Sequence, residues 1–335
     1  MKVSAITGVR QAGLVEVPDP VASGDFALVK IHAAPMCAEY KGFVEGGKNS
    51  SLGHEAAGEV VAVAQSGSVK PGDRVVVMPQ YPCGRCDHCL AGDYIYCVSG
   101  KGPAGGTATY AQYLLKNSWL LMPIPDGVSY EHASMACCGL GPTFGAMDLV
   151  ALDRFDTVLI TGAGPVGLGG VINARYRGAR TLVVEANPYR AAKAIKLGAE
   201  KVFDPKHPDV LKQILDATGG EGVDKAIDCS GVPAAHRLCI DATRRRGQVA
   251  FVGETYAYGA TPLSVSTDMI RKGLTLKGSW HYNIAGYARL MRVIEDSPAA
   301  LDELITHRMG MSQVQQTFEI SASGLCAKIV LDPWK

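Results

Sequence analysis

The chain has 335 residues, 47% of them hydrophobic and 19% charged, with a net charge of +1. That length suits two domains with a sizeable core, and the near-neutral balance supplies no long-range field to gather nucleic acid or an anionic membrane, so a small molecule is the expected partner. Met1, Lys2 and Val3 open no cationic region followed by an apolar run, and no stretch approaches the roughly 18 apolar residues of a membrane span, so a soluble, cytoplasmic protein is expected.

Residues 26–32, 58–63 and 73–78 are short apolar runs separated by Gly, Pro and Ser, a pattern that predicts strands of a small, partly open barrel. Cys37 follows the first run, and Gly53, His54 and Glu55 form a turn before the second. Near residue 150 the rhythm changes to strands alternating with helical patterns, which predicts βαβ units and a parallel sheet. Strands are expected at 157–160, 181–184, 223–227, 248–252 and 274–277. Asn187 followed by Pro188 is a helix start, since Asn caps free amides and Pro fits the first turn. A helical pattern over 283–294 and a strand at 327–331 that could return to the first domain complete the chain.

Ten cysteines in a long chain without an export signal point to metal ligation or burial instead of a disulfide framework. Cys83, Cys86, Cys89 and Cys97 lie in one short loop with the turn residues Pro82 just before them and Gly84 and Gly92 between them. One compact loop can wrap a tetrahedral zinc with four thiolates, and four ligands leave no open position, so the site is expected to be structural. Four free buried thiols, or His88 as a ligand, are the alternatives. Cys37, His54 and Cys138 could form a second site whose fourth position is open to water or substrate, as a catalytic zinc requires. Taken singly, each is equally a buried thiol or a core histidine.

Gly162-Ala163-Gly164-Pro165-Val166-Gly167 follows an apolar strand and opens a helix, the context a dinucleotide loop needs. Glu185 ends the next strand at the spacing where a carboxylate accepts the ribose hydroxyls and repels a 2′-phosphate, which favours NAD over NADP. Arg190 could pair with a phosphate or lie on the adenine face. The strand ends Cys229-Ser230-Gly231 and Val252-Gly253-Glu254 are expected to border the nicotinamide half, although tight turns needing glycine would look the same. Trp280, His281 and Tyr282 are equally pocket lining or packing.

The order Cys37, Gly53-His54-Glu55, the cysteine quartet and the glycine-rich loop resembles the zinc-containing medium-chain alcohol and polyol dehydrogenases over nearly the whole chain. Pro71-Gly72-Asp73-Arg74-Val75 and Gly106-Thr107-Ala108-Thr109-Tyr110-Ala111 are similar to that family too, and Gly278-Ser279-Trp280 resembles its sorbitol and threonine dehydrogenase branches. The resemblance implies an α/β protein: a GroES-like β-rich catalytic domain at 1–147 and 284–335, and a Rossmann doubly wound parallel-sheet domain for NAD at 148–283. It implies two zinc ions per chain, a homodimer or homotetramer, and oxidation of a secondary alcohol such as a polyol, sugar derivative, cyclitol or hydroxy amino acid. By the same resemblance Cys37 and His54 are zinc ligands and Glu55 is a carboxylate that can exchange with water on the metal. Counting back from Phe144-Gly145-Ala146 makes Cys138 the remaining ligand, whereas counting forward from Pro125-Asp126-Gly127 makes it Cys137. Relatives carry a hydroxyl shortly after the first ligand to hand the substrate proton away; here Ala38-Glu39-Tyr40 stands there, and Glu39 is either its substitute as proton acceptor or a solvated surface acid. The alternatives to an NAD-linked alcohol dehydrogenase are a zinc-independent enone or quinone reductase of the same fold and a zinc-stabilised nucleotide-binding protein without turnover.

Overall fold

Phe26–Pro35 alternates partly exposed and buried residues up to Ala33, the period of a strand with one face on a core, and then stays buried to its end. It pairs antiparallel with Ala56–Ala62 and with Tyr113–Asn117. Arg74–Val77 and Leu121–Pro123 extend the sheet on one side. On the other, Lys328–Asp332 pairs antiparallel with the end of Phe26–Pro35 and parallel with Ile305–Gly310. Val29, Ile31, Val75, Val77, Leu114 and Ile329 fill the core between them, with Phe43 stacked on Phe318 at 5.1 Å between ring centres. The Met36 amide bonds to the Ile329 carbonyl at 2.8 Å, which brings the last strand beside the segment that carries Cys37.

The computed structural model describes residues 1–254 and 259–335, and the chain divides into two units, Met1–Gly139 with Asn283–Lys335, and Leu140–Tyr282. The second unit holds six parallel strands in the spatial order Lys201–Phe203, Arg180–Val184, Thr157–Thr161, Val223–Asp228, Thr243–Phe251, Thr275–Gly278. The order reverses between Thr157–Thr161 and Val223–Asp228, and a doubly wound sheet leaves a crevice at the carboxyl ends of its strands at such a point. Leu159, Leu182, Phe203, Ile214, Ala226 and Val249 form its core.

The junction falls after Gly139, eight residues before the expected boundary at 147. The helix Gly141–Leu149 belongs to the second unit because it packs on the helix Pro165–Tyr176: the Asn173 side chain donates to the Leu140 carbonyl and to the Thr143 hydroxyl, both at 2.9 Å. The return falls after Tyr282, one residue before the expected end at 283. The expected helix over 283–294 is a 3-10 turn, Ile284–Gly286, followed by the helix Tyr287–Asp296. No helix among the described residues is long and apolar enough to cross a membrane.

Candidate metal centres and dinucleotide loop

Cys83, Cys86, Cys89 and Cys97 bring their sulfurs within 4.8 Å of one another. Cys86 and Cys89 stand 3.5 Å apart and Cys83 and Cys89 4.0 Å, against about 3.8 Å for thiolates on a tetrahedral zinc. None is in a disulfide. His88 lies outside the group, its ring 6.3 Å from that of Tyr96. Backbone N–H groups of Arg85 and Cys86 hold the Cys83 thiol down to about 6, while burial pushes the Cys89 thiol up to about 12. Asn283 fastens the loop, donating to the Ala91 carbonyl at 2.7 Å and to Asp93 at 2.9 Å.

Cys37, His54, Glu55 and Cys138 form the second group, their donor atoms also within 4.8 Å of one another. The two cysteines and the histidine come from three separate segments. His54 Nε2 is 3.3 Å from Cys138 Sγ, close to the spacing of nitrogen and sulfur on one zinc. The neighbouring thiol is turned away: Cys137 is fully buried, donates to the Val77 carbonyl at 3.3 Å, and is no member of the group. A hydrogen bond from Cys138, and one with His54, hold the Cys37 thiol well below its ordinary range against the cost of burial. Burial opposes a charged His54, but hydrogen bonds with Cys37 and Glu39 raise it to about 11. Protons shared among two thiols, an imidazole and a carboxylate are what a divalent cation displaces on binding, so the donor set fits zinc.

Glu39 is no surface acid. Its side chain is 11% exposed, and Oε1 accepts from His54 Nδ1 at 2.9 Å. Oε2 accepts from the Cys37 amide at 2.9 Å and the Tyr110 hydroxyl at 2.8 Å. Burial alone would push this carboxyl up, but the His54 hydrogen bond and charge overcome it and hold Glu39 at about 2. A carboxylate so engaged orients the imidazole, in the manner of outer-shell carboxylates at histidine metal sites. Glu55 is fully buried, with Oε2 accepting from the Cys138 amide at 3.2 Å and Oε1 from Lys328 Nζ at 2.6 Å. Burial raises its carboxyl to about 7 while Lys328 pulls the other way, and Lys328 is held protonated by its surrounding anionic groups. Tyr110 and Lys328 were not among the expected site residues. A lone lysine inside the apolar strand at 327–331 is the signal for one of them; the other stands in the family-like phrase Gly106-Thr107-Ala108-Thr109-Tyr110-Ala111, which gives it no role.

In the second unit Gly162 takes a left-handed φ of 83° and its amide bonds to the Val184 carbonyl at 2.8 Å. A Cβ at Gly167 would lie 1.8 Å from the Gly162 carbonyl oxygen, whereas one at Gly164 would meet nothing within 4 Å. The third glycine is therefore demanded by the chain's own packing, and the second by open space of the kind a pyrophosphate needs beside Pro165, Val166 and the helix N-terminus. Glu185 accepts from the Ala163 amide at 2.6 Å and the Asn187 amide at 2.7 Å, so the acid braces the loop that it is expected to serve. The Asn187 side chain caps the helix Pro188–Leu197 through the Tyr189 and Arg190 amides, and Arg190 Nε is buried without a hydrogen-bond partner among the described residues. The Val252 and Gly253 amides both bond to the Asp228 carbonyl at 2.9 Å, closing the turn at one strand end. His281 and Tyr282 are buried, stacked at 4.8 Å, with Tyr282 edge-on to Phe144 at 6.0 Å, so packing accounts for both; Trp280 is 47% exposed.

A unit bearing two zinc-type donor groups, together with a doubly wound unit bearing a dinucleotide loop, defines the class of metal-dependent dehydrogenases. Residues 23–126 match the family described as alcohol dehydrogenase GroES-like domain, and residues 165–296 the one described as zinc-binding dehydrogenase. The chain is 32% identical over 309 residues to an uncharacterized zinc-type alcohol dehydrogenase-like protein, YphC, of Escherichia coli K12, covering 90% of this chain and 84% of that one. It is 31% identical over 342 residues to an L-threonine 3-dehydrogenase of Pyrococcus horikoshii, covering 95% and 94%. The alcohol dehydrogenase TADH from Thermus sp. ATN1 superposes with a TM-score of 0.90 at 25% identity over 99% of both chains. The chain belongs to the zinc-type medium-chain alcohol and polyol dehydrogenases. Neither the zinc-independent reductase nor the non-catalytic reading is favoured by these relatives.

Proposed function

We propose that the protein oxidises a secondary alcohol with NAD at a zinc held by Cys37, His54 and Cys138, and the convergence of those donor atoms with Glu55 within 4.8 Å carries the reading. When bound, zinc polarises the alcohol oxygen and lowers its pKa, and NAD accepts the hydride. Glu39 fixes the His54 ring through Nδ1 and leaves Nε2 for the metal, while Tyr110 and the Cys37 amide keep that carboxylate in place. Glu55 stands beside the donor set as an exchangeable carboxylate, restrained by Lys328. With Glu39 committed in this way, the substrate proton leaves to water. The loop at Gly162, Gly164, Pro165, Val166 and Gly167 takes the pyrophosphate, Glu185 the ribose hydroxyls, Arg190 the adenine side and Val252 the nicotinamide side. Glu185 favours NAD by repelling a 2′-phosphate. Cys83, Cys86, Cys89 and Cys97 hold a second, structural zinc.

The L-threonine 3-dehydrogenase relative acts on a hydroxy amino acid, so the substrate is sought among hydroxy amino acids, polyols, sugar derivatives and cyclitols. None of the ten cysteines is paired in a disulfide, which suits a reducing, cytoplasmic setting. A homodimer or homotetramer is proposed, to be checked by light scattering. The deciding experiment counts zinc and follows NADH formation over a panel of those alcohols. Two zinc ions per chain with turnover support the reading, and Cys37→Ala should lose one zinc and turnover together. One zinc and no turnover in the parent, or full turnover in Cys37→Ala, would sink it.

A further inference from the structure

A cavity of about 330 Å³ opens in the first unit, lined by His54, Gln80, Tyr81, Thr109 and Lys116 among others, a volume at the lower end of small-molecule sites. Lys116 lies in the strand Tyr113–Asn117 and is only 2% exposed. Its Nζ donates to the Gln80 carbonyl and stands 4.1 Å from the centre of the Tyr81 ring. No carboxylate among the described residues pairs with it, and burial pushes the ammonium down to about 7. An ammonium carries three donors, so a carbonyl and a ring face leave capacity for another acceptor. A buried cation without a counter-charge is unfavourable in an empty fold. It becomes favourable when a guest supplies an anionic oxygen.

Taking from the proposed function that His54 borders the reacting alcohol, we propose that Lys116 binds an anionic group of the substrate. The enzyme's substrates are then secondary alcohols carrying a carboxylate or a phosphate ester, and neutral diols are poor ones.

The test compares matched alcohols that are neutral, carboxylated or phosphorylated, using zinc-replete parent, Lys116→Met and Lys116→Arg proteins. The parent should prefer one anionic series over the neutral one by at least about tenfold in kcat/KM, the scale of one charged hydrogen bond. Which series wins identifies carboxylate or phosphate. Lys116→Met should collapse the ratio towards unity, chiefly through KM, and Lys116→Arg should restore part of it. Equal use of neutral and anionic alcohols by the parent, or an unchanged ratio in Lys116→Met, overturns the inference and leaves the dehydrogenase reading intact. If no alcohol reduces NAD, that reading fails, and calorimetry with inorganic phosphate and with acetate still decides the role of Lys116. Affinity weakened about tenfold in a folded Lys116→Met protein sustains it, and equal affinity overturns it. Circular dichroism checks folding, and Lys116→Gln repeats the comparison should the methionine variant aggregate.

Discussion

Lys328 and Glu55 are both fully buried and joined at 2.6 Å, so each neutralises a charge that the interior would not otherwise tolerate. Lys328→Met leaves the carboxylate alone beside two thiols, and removing one member of a buried pair costs about 3–5 kcal/mol. Denaturant unfolding of the zinc-replete variant should show that loss; a midpoint within a few tenths molar of the parent would mean that the pair is dispensable. Glu39→Gln keeps the shape but removes the charge facing His54 Nδ1, and losing such an outer-shell partner weakens a metal about 10- to 100-fold. Competition with a chromogenic chelator reads this directly. Lys116 adds a signature in pH. Its folded value of about 7 lies below the ordinary 10.5, so the unfolded chain binds more protons between those values and folding stability rises with pH across that window. Tyr81 and Cys137, its titratable neighbours, are both pushed upward by burial and stay neutral in the fold, so they oppose this slope above about pH 9, where they ionise in the unfolded chain. Between about pH 7 and about pH 9 the unfolding midpoint should rise more in the parent than in Lys116→Met.

Among the elements, the dinucleotide loop is the most tightly constrained. Gly167→Ala would place a methyl 1.8 Å from the Gly162 carbonyl, and because that contact is backbone, the loop must shift. Overpacking of this kind costs about 1–3 kcal/mol, and NADH binding followed by fluorescence should weaken along with it. The motif was legible because each glycine answers a local requirement, and the strands around it because buried parallel strands are nearly continuous apolar runs. Lys201–Phe203 escaped notice, being three residues long with a lysine at its head. Thr243–Phe251 begins before its apolar run because Arg244, Arg245 and Arg246 sit at its start. The junction between the two units is hard to read for a related reason: residues 135–147 are apolar almost throughout, and only the packing of Gly141–Leu149 on Pro165–Tyr176 places that helix in the second unit. At the metal centre, the family resemblance nominates Cys37, His54 and Glu55, yet it does not choose between adjacent thiols. That choice depends on which sulfur the turn after Ser134 directs to His54 and which to the Val77 carbonyl.

At the scale of the whole molecule, both zinc-type donor groups lie in the unit formed by Met1–Gly139 and Asn283–Lys335, and the dinucleotide loop lies in Leu140–Tyr282. Metal and cofactor binding are therefore built from separate cores. Within the first unit the two groups differ in kind. On the proposed assignment, four thiolates would close a tetrahedral shell, whereas Cys37, His54 and Cys138 with an exchangeable Glu55 would leave a position for an incoming ligand. A chelator gains its first foothold at an open position, so the zinc at the mixed group should leave first, and turnover should fall in step with the first equivalent released. NADH affinity should stay within about threefold, since neither donor group belongs to the core that shapes the loop. The second equivalent should come off only with loss of thermal stability, because a structural zinc contributes to folding directly. Cys86→Ser separates the two effects: one zinc per chain and a lower melting temperature, with the chemical step preserved below that temperature. Loss of NADH binding on removal of the first zinc would show that the two units do not act as independent platforms.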